Sequence, residues 1–353
     1  MGASTVTGIF VKLPAGALSD LLGRRRLLLA GALVFAILPF TYLAVSTLAL
    51  LIALRFLHGS ATAMFGPVAS ASLSDVAPRE SRGAWLSLYA TAQGTGQAIG
   101  PVLAGYLIAA GRFDLAFAIA GVIGLGVPLI IMSSSGWRGA QASASNRPSW
   151  PEFTRGVVEV GRDRLVLATS GAQAAQFVLN GTLNAFLPLY GQEVLHLTPS
   201  QIGWLFGMQT LTTLAARPGI GFLSDRLGRR WVIVAGLTTC SLAVLSLSLA
   251  ATVPAVVAAI LAYAAGVAMT TAATSAFITD VTRRARYGAA HGVFGTIYDV
   301  GDALGPIAAG VLVAAVGYSR MFQIMASVAF TAAAVFAATS RPSHTRDPAK
   351  ASR

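Results

Sequence analysis

Long apolar stretches alternate with short breaks rich in Gly, Pro and Arg along nearly the whole chain. A helix needs about 20 apolar residues to cross the hydrocarbon of a bilayer. Helix is also the open-chain form that pairs every backbone polar group within its own segment. By that ruler the pattern predicts eleven spans, near 1–20, 27–46, 49–75, 84–109, 114–134, 165–190, 200–224, 231–250, 253–280, 287–313 and 318–339. The longest polar connection, Ser133 to Pro151 with Trp150-Pro151-Glu152-Phe153, divides the chain and reads as a linker carrying an interfacial helix.

Composition agrees with a polytopic membrane protein. Of 353 residues 55% are hydrophobic and 11% charged, with a mean hydropathy of +0.69. A soluble domain is roughly 25% charged, so two soluble globules could not be coated. Cys240 is the single cysteine, which rules out an intrachain disulfide scaffold. The net charge of +12 raises nucleic acid as a partner, but the cations sit in breaks between apolar runs: Arg24 to Arg26, Arg79 and Arg82, Arg226 with Arg229 and Arg230, and Arg283, Arg284 and Arg286. That placement follows the positive-inside rule and puts these breaks, the linker and the tail in the cytoplasm. The expected partners are therefore the lipid bilayer and a small molecule, with no nucleic acid, for a monomer in the inner (plasma) membrane.

The two halves repeat in one register. Asp225 follows Asp20 by 205 positions (225 − 20), Asp280 follows Asp75 by 205 (280 − 75), and Pro306 follows Pro101 by 205 (306 − 101). Gly16-Ala-Leu-Ser-Asp-Leu-Leu-Gly-Arg-Arg25 matches Gly221-Phe-Leu-Ser-Asp-Arg-Leu-Gly-Arg-Arg230. Gly96-Gln-Ala-Ile-Gly-Pro-Val-Leu-Ala-Gly105 matches Gly301-Asp-Ala-Leu-Gly-Pro-Ile-Ala-Ala-Gly310. A parallel repeat about an axis along the membrane normal accounts for this. In that register the span starting near Leu165 has no counterpart, since 165 − 205 is negative. The expectation is an N-terminally truncated chain lacking its first helix, whose intact form has twelve. The resulting division is an N-terminal bundle at 1–134, a cytoplasmic linker at 135–163, a C-terminal bundle at 164–340 and a cytoplasmic tail at 341–353.

The doubled Gly-x-Leu-Ser-Asp-x-Leu-Gly-Arg-Arg loop resembles the signature of the major facilitator superfamily. The resemblance covers essentially the whole chain and implies two six-helix bundles, here with eleven transmembrane helices. It implies a gating role for Gly16, Asp20, Gly23, Arg24 and Arg25 and for Gly221, Asp225, Gly228, Arg229 and Arg230, with a charge lattice that holds the halves in one state and breaks in the other. Gly96, Gly100, Pro101 and Gly105 resemble the family's fifth-helix Gly-Pro motif, associated with proton-driven drug efflux; Ala104 replaces one of its glycines. Gly305 and Pro306 repeat it. Small residues beside a proline suit a bent helix that rocks against a neighbour. Arg55-Phe-Leu-His-Gly59 is similar to a fourth-helix motif linked to proton transfer, with His58 where glutamine is usual.

Polar side chains within spans are costly and face a cavity or a partner. Gln173, Gln176, Asn180 and Asn184 recur at helical spacing and predict a cavity wall. Tyr89, Gln93 and Gln97 form a second stripe, matched in the repeat by Phe294, Tyr298 and Asp302. Asp302, then Asp299, with Arg55 and His58, are the candidates for proton coupling. Lys12 and Arg217 lie near helix ends and are expected to snorkel. The four histidines lack metal-ligand spacing, and no phosphate-binding Gly-Lys loop or framed nucleophile is present. No metal, cofactor or catalytic residue is expected, the proton gradient being the energy source. The reading is a secondary transporter working by alternating access, exporting small amphipathic compounds against protons. Uptake of a sugar, organic acid or other metabolite is the alternative within transport, and a non-transporting membrane sensor or interaction protein the alternative outside it.

Overall fold

A computed structural model of the chain describes residues 23–78, 81–133, 158–282 and 287–340. Its long elements are all helices: α1 (Arg24–Tyr42), α2 (Leu48–Val76), α3 (Arg82–Ala109), α4 (Phe113–Ser133), α5 (Arg164–Glu193), α6 (Pro199–Leu227), α7 (Arg229–Leu247), α8 (Val253–Val281), and a final stretch, Tyr287–Thr339. Gly317, at φ 77° and ψ 173°, interrupts that last stretch. It is therefore two helices, α9 (287–316) and α10 (318–339). The expected segment at 1–20, with Gly16 and Asp20, lies outside the described residues, as do most of the linker and the tail.

Six stretches are long and apolar enough to cross a membrane by length and composition: α1, α2, α4, α7, α8 and the α9–α10 run. Of the segments read as spans, α3, α5 and α6 are 28, 30 and 29 residues long but more polar than those six. This departure has a local cause. Some of the amides that lower their apolarity, Gln93, Gln97, Gln176, Asn180, Asn184 and Gln209, line a cavity that the three helices share.

Helix ends follow capping chemistry. Thr47 accepts from the backbone N–H of Leu50 at 3.3 Å, and Asp163 from that of Leu165 at 2.8 Å. Thr198 and Gln201 form a reciprocal capping box at the start of α6. Between α6 and α7, Gly228 takes φ 86° and ψ 130°, a left-handed conformation that lets two helices meet without a loop. Gly23, 205 positions earlier (228 − 23), has φ 86° and ψ 132°.

Packing joins α1 to α2 and α4, α3 to α6, α5 to α9 and α10, and α7 to α8 and α10. Lipid tails are as apolar as leucine, so close packing rather than dehydration holds such contacts together. Glycine supplies it at several crossings. A Cβ on Gly236 would lie 2.6 Å from the Thr270 hydroxyl, and one on Gly31 3.3 Å from Phe65. These two contacts are one register apart (236 − 31 and 270 − 65 are both 205). The largest core lies in the C-terminal half, where Leu179, Leu183 and Leu187 on one face of α5 meet Val244, Ile260, Tyr263 and Phe322. A smaller cluster joins Leu27, Leu28 and Ala32 to Val68 and Ile131. On α4, Val122, Ile123, Leu129, Ile130 and Met132 are 62 to 69% exposed, an apolar face suited to acyl chains.

Candidate functional site

The three more polar helices, with part of α8, enclose a cavity of about 540 Å³, within the 300–1,000 Å³ range of small-molecule sites. Each contributes a stripe at a spacing of four, which keeps side chains on one helix face. Gln93 and Gln97 come from α3, Gln176, Asn180 and Asn184 from α5, and Gln209, Thr213 and Arg217 from α6. Phe177, Phe206 and Leu214 give apolar wall, Pro101 lies at the α3 bend, and Thr271 comes from α8.

Behind this wall a buried network fixes the amides. Gln173, 1% exposed, donates from Nε2 to Gln176 Oε1 at 3.0 Å and accepts from the Thr274 hydroxyl. Gln176 donates to the Tyr263 hydroxyl at 3.3 Å. One turn further on, Asn180 Nδ2 donates to Asp302 Oδ1 at 3.2 Å. A cavity-wall amide thus touches a carboxylate of α9 directly. Asp299 is buried on the same helix, 6% exposed.

The stripes read from sequence are thereby sorted. Gln176, Asn180, Asn184, Gln93 and Gln97 line the cavity. Gln173 lies a turn away among helix-to-helix hydrogen bonds and is not part of the wall. Tyr89, Phe294 and Tyr298 are not lining residues. Phe294 packs with Val160, Ile278 and Ala290, and Tyr298 stacks on Phe177 at 4.5 Å between centroids, supporting the wall from behind. Arg55 and His58 do not join Asp302: the His58 ring meets the Tyr42 hydroxyl at 3.3 Å, and the Arg55 guanidinium lies 5.4 Å from the Tyr42 ring. That cluster belongs to the α1–α2 contact. Sequence reasoning missed the α6 stripe and took Arg217 for a snorkelling residue. The signal was present, since 209, 213 and 217 have the same spacing of four.

The loop residues form staples. Arg229 pairs with Asp225 at 3.3 Å and with Asp280, tying together α6, α7 and α8. Arg230 donates to the Ser340 hydroxyl at 3.1 Å and to the Ala337 carbonyl at the end of α10. Arg25 donates to the Met132 carbonyl at 3.0 Å, at the end of α4. The two arginine-to-carbonyl bonds are equivalent (230 − 25 and 337 − 132 are both 205). A cation at a helix C-terminus complements the helix dipole. Among the described residues each of these bonds stays within its own half of the chain.

The Gly-Pro helices differ. A Cβ on Gly301 or Gly305 would fall onto the backbone carbonyls of Ala174 or Val178 in α5, and one on Gly105 would lie 2.6 Å from the Pro199 carbonyl in α6. Gly96 and Gly100 have nothing within 4 Å of that position. The expected contact between small residues and a neighbour is thus present at Gly105, Gly301 and Gly305, and not at Gly96 or Gly100 among the described residues. Gly221 also has nothing within 4 Å of that position.

A bundle of long helices around a polar cavity, with an exposed apolar face on α4, has the make-up of a membrane transporter. The Major Facilitator Superfamily model matches residues 1–198 and 169–353, and the chain belongs to that family. An uncharacterised MFS-type transporter of Methanocaldococcus jannaschii is 23% identical over 326 residues, covering 92% of this chain and 84% of that one. The class E tetracycline resistance protein of Escherichia coli is 28% identical over 229 residues, covering 63% of this chain and 55% of its own length. Among solved structures, a bacterial homolog of the human lysosomal transporter Spinster, inward-facing and unoccupied, superposes with a TM-score of 0.80 at 16% identity, over 96% of this chain and 87% of that one. That last likeness is one of fold.

Proposed function

We propose that the chain is a proton-coupled secondary transporter that exports small amphipathic compounds by alternating access, with 1–134 and 164–340 as two bundles related by a pseudo-twofold axis and 135–163 as a cytoplasmic linker. Eleven crossings, with α3, α5 and α6 among them, put every arginine-rich break on the cytoplasmic side of the plasma membrane. Support for the repeat comes from the matched glycine turns, arginine ties and glycine crossings 205 positions apart. Support for export comes from the Gly-Pro motif and the similarity to a tetracycline resistance protein.

The observation that carries proton coupling is the Asn180–Asp302 hydrogen bond. An ionised carboxylate only accepts, and so holds the Asn180 N–H. A protonated one is a weaker acceptor with an added O–H donor, which loosens that hold. The charge of Asp302 thus sets how Asn180 presents its N–H to the cavity, which couples proton and substrate through one amide. Proteoliposomes with an imposed proton gradient, offered a panel of dyes, antibiotics and sugars, test this reading. Gradient-driven movement of an amphipathic member should fall at least tenfold in Asp302→Asn, with counterflow retained. Undiminished gradient-driven transport by that variant removes Asp302 from the mechanism, and movement of sugars alone overturns the export reading.

A further inference from the structure

A second cavity, of about 490 Å³, lies at the opposite end of α7 from the Arg229 and Arg230 ties. Its wall forms where elements stop or start: the last turn of α5, the turn between α7 and α8, and the first residues of α10 after the Gly317 break. No residue lining it lines the central cavity. Four of the lining residues carry hydroxyls, and each gives its proton to a protein acceptor. Tyr190 donates to the carbonyls of Leu247 and Ala250, both at 3.1 Å. Ser248 donates to the Leu245 carbonyl at 2.7 Å, and Ser319 to the Ser248 carbonyl at 2.6 Å. Tyr318 donates to Glu193 Oε2 at 2.9 Å. A hydroxyl has one proton and two lone pairs, so these side chains offer a ligand acceptors only.

Glu193 adds a negative charge. It is the last residue of α5 and exposed, and the Tyr318 bond seats its carboxylate against the cavity wall. The C-terminal end of a helix dipole favours a cation over an anion, yet Glu193 has no cationic partner among the described residues. α7 ends at the same cavity, with its C-cap Ser248 in the wall. Arg320 is two residues past Tyr318, about 200° around α10, and is not a lining residue. The rings of Tyr190 and Tyr318 lie 5.6 Å apart between centroids, and aromatic faces attract cations.

We infer that this cavity is a binding site for a protonated amine with a short apolar body. The amine donates its N–H groups to Glu193 and to the hydroxyl oxygens of Tyr318 and Ser319, and its carbon body lies on Val194, Leu195 and Leu249. Glu193 and Ser319 are exposed and Tyr318 half-buried, so a ligand can reach all three. Two sources carry this chemistry: a soluble amine, or the ethanolamine headgroup of a lipid whose acyl chains meet Leu249, 78% exposed. The site does not depend on which compounds the central cavity takes.

The test uses the full chain in detergent and three fluorescent probes: dansylcadaverine, its neutral N-acetyl derivative, and its trimethylammonium derivative, which keeps the charge without an N–H. The parent protein should bind the amine about tenfold more tightly than either analogue, the discrimination a charge-assisted hydrogen bond supplies. Glu193→Gln should erase the preference over the acetyl derivative. Binding in the central cavity persists in that variant and cancels in the comparison. Tyr318→Phe keeps the ring and frees the second carboxylate oxygen, so it should bind the amine as tightly as the parent or more tightly. The site is overturned by a parent that binds the three probes equally or not at all, by Glu193→Gln with the preference intact, or by a tenfold loss in Tyr318→Phe. Nanodiscs of phosphatidylcholine with and without phosphatidylethanolamine separate the sources. Competition by phosphatidylethanolamine in the parent and not in Glu193→Gln assigns the site to the headgroup, and equal affinity in the two assigns it to a soluble amine. Proton-driven transport can fail while these preferences hold, and the preferences can fail while transport holds, so the two readings fall separately.

Discussion

The helices α3 and α9 carry the same Gly-Pro motif in the same register, yet their glycines meet different surroundings. In α9, Gly301 and Gly305 press against the backbone of α5. In α3, the equivalent Gly96 and Gly100 (301 − 205 and 305 − 205) have no described atom within 4 Å of a Cβ. Only Gly105, further along, presses on a neighbour, and that neighbour is α6. The lesson is that a row of small residues states how closely a second backbone can come, not that one does. The missing side chain costs helix stability in both places, and close contact offsets that cost at Gly301 and Gly305.

This contrast can be broken by substitution. Gly305→Ala forces a methyl onto the Val178 carbonyl, and overpacking of that kind destabilises by about 1–3 kcal/mol; the loss should appear as a lower midpoint in denaturant or thermal unfolding of purified protein. Arg230→Met removes the two bonds that tie α7 to the end of α10. Favourable partly buried cations at helix ends contribute up to ~2 kcal/mol, so its effect should exceed that of Arg25→Met, whose bonds to Ile131 and Met132 are longer or more exposed. Equal losses in the two variants would make the halves mechanically alike after all. Gly100→Ala should be neutral or stabilising by about 0.5–1 kcal/mol, since alanine is the better helix former and nothing described opposes its methyl. A loss there as large as at Gly305 would mean that α3 is covered on this face too. The smallest change belongs to Asp225→Asn. Its carboxylate is 64% exposed beside Arg229, and pairs of that exposure contribute roughly 0.2–1 kcal/mol. Most of that small effect should vanish in high salt.

Much of the scaffold was legible beforehand. Apolar length gave the helices from Arg24 to Thr339 to within a few residues, and left-handed glycines at Gly23, Gly228 and Gly317 mark three of the breaks. The candidate site was legible only in part. Spacing put Gln173, Gln176, Asn180 and Asn184 on one face of α5, but a helix face is wide enough to meet both a cavity and a packed neighbour. Gln173 fell on the packed side, toward Thr271 and Thr274. Arg55 and His58 show the same limit more plainly. Likeness to a fourth-helix motif made them candidates for proton coupling, yet the α2 face that bears them turns to Tyr42 and Phe35. The α6 stripe was overlooked because its middle member is a threonine and its last member a helix-end arginine, residue types with bland explanations of their own.

By itself the order of residues determined that this chain is helical, that it repeats at 205 positions, and which residues share each helix face, because hydropathy and a 3.6-residue turn are local properties. How far each helix is rotated about its own axis is set by its neighbours, through glycine contacts such as Gly203 against Pro101 and Gly181 against Asp302 and Pro306. Only the assembled bundle therefore decided that Asn180 would reach Asp302, that Gln173 would be sealed away, and that the α6 stripe would line the cavity.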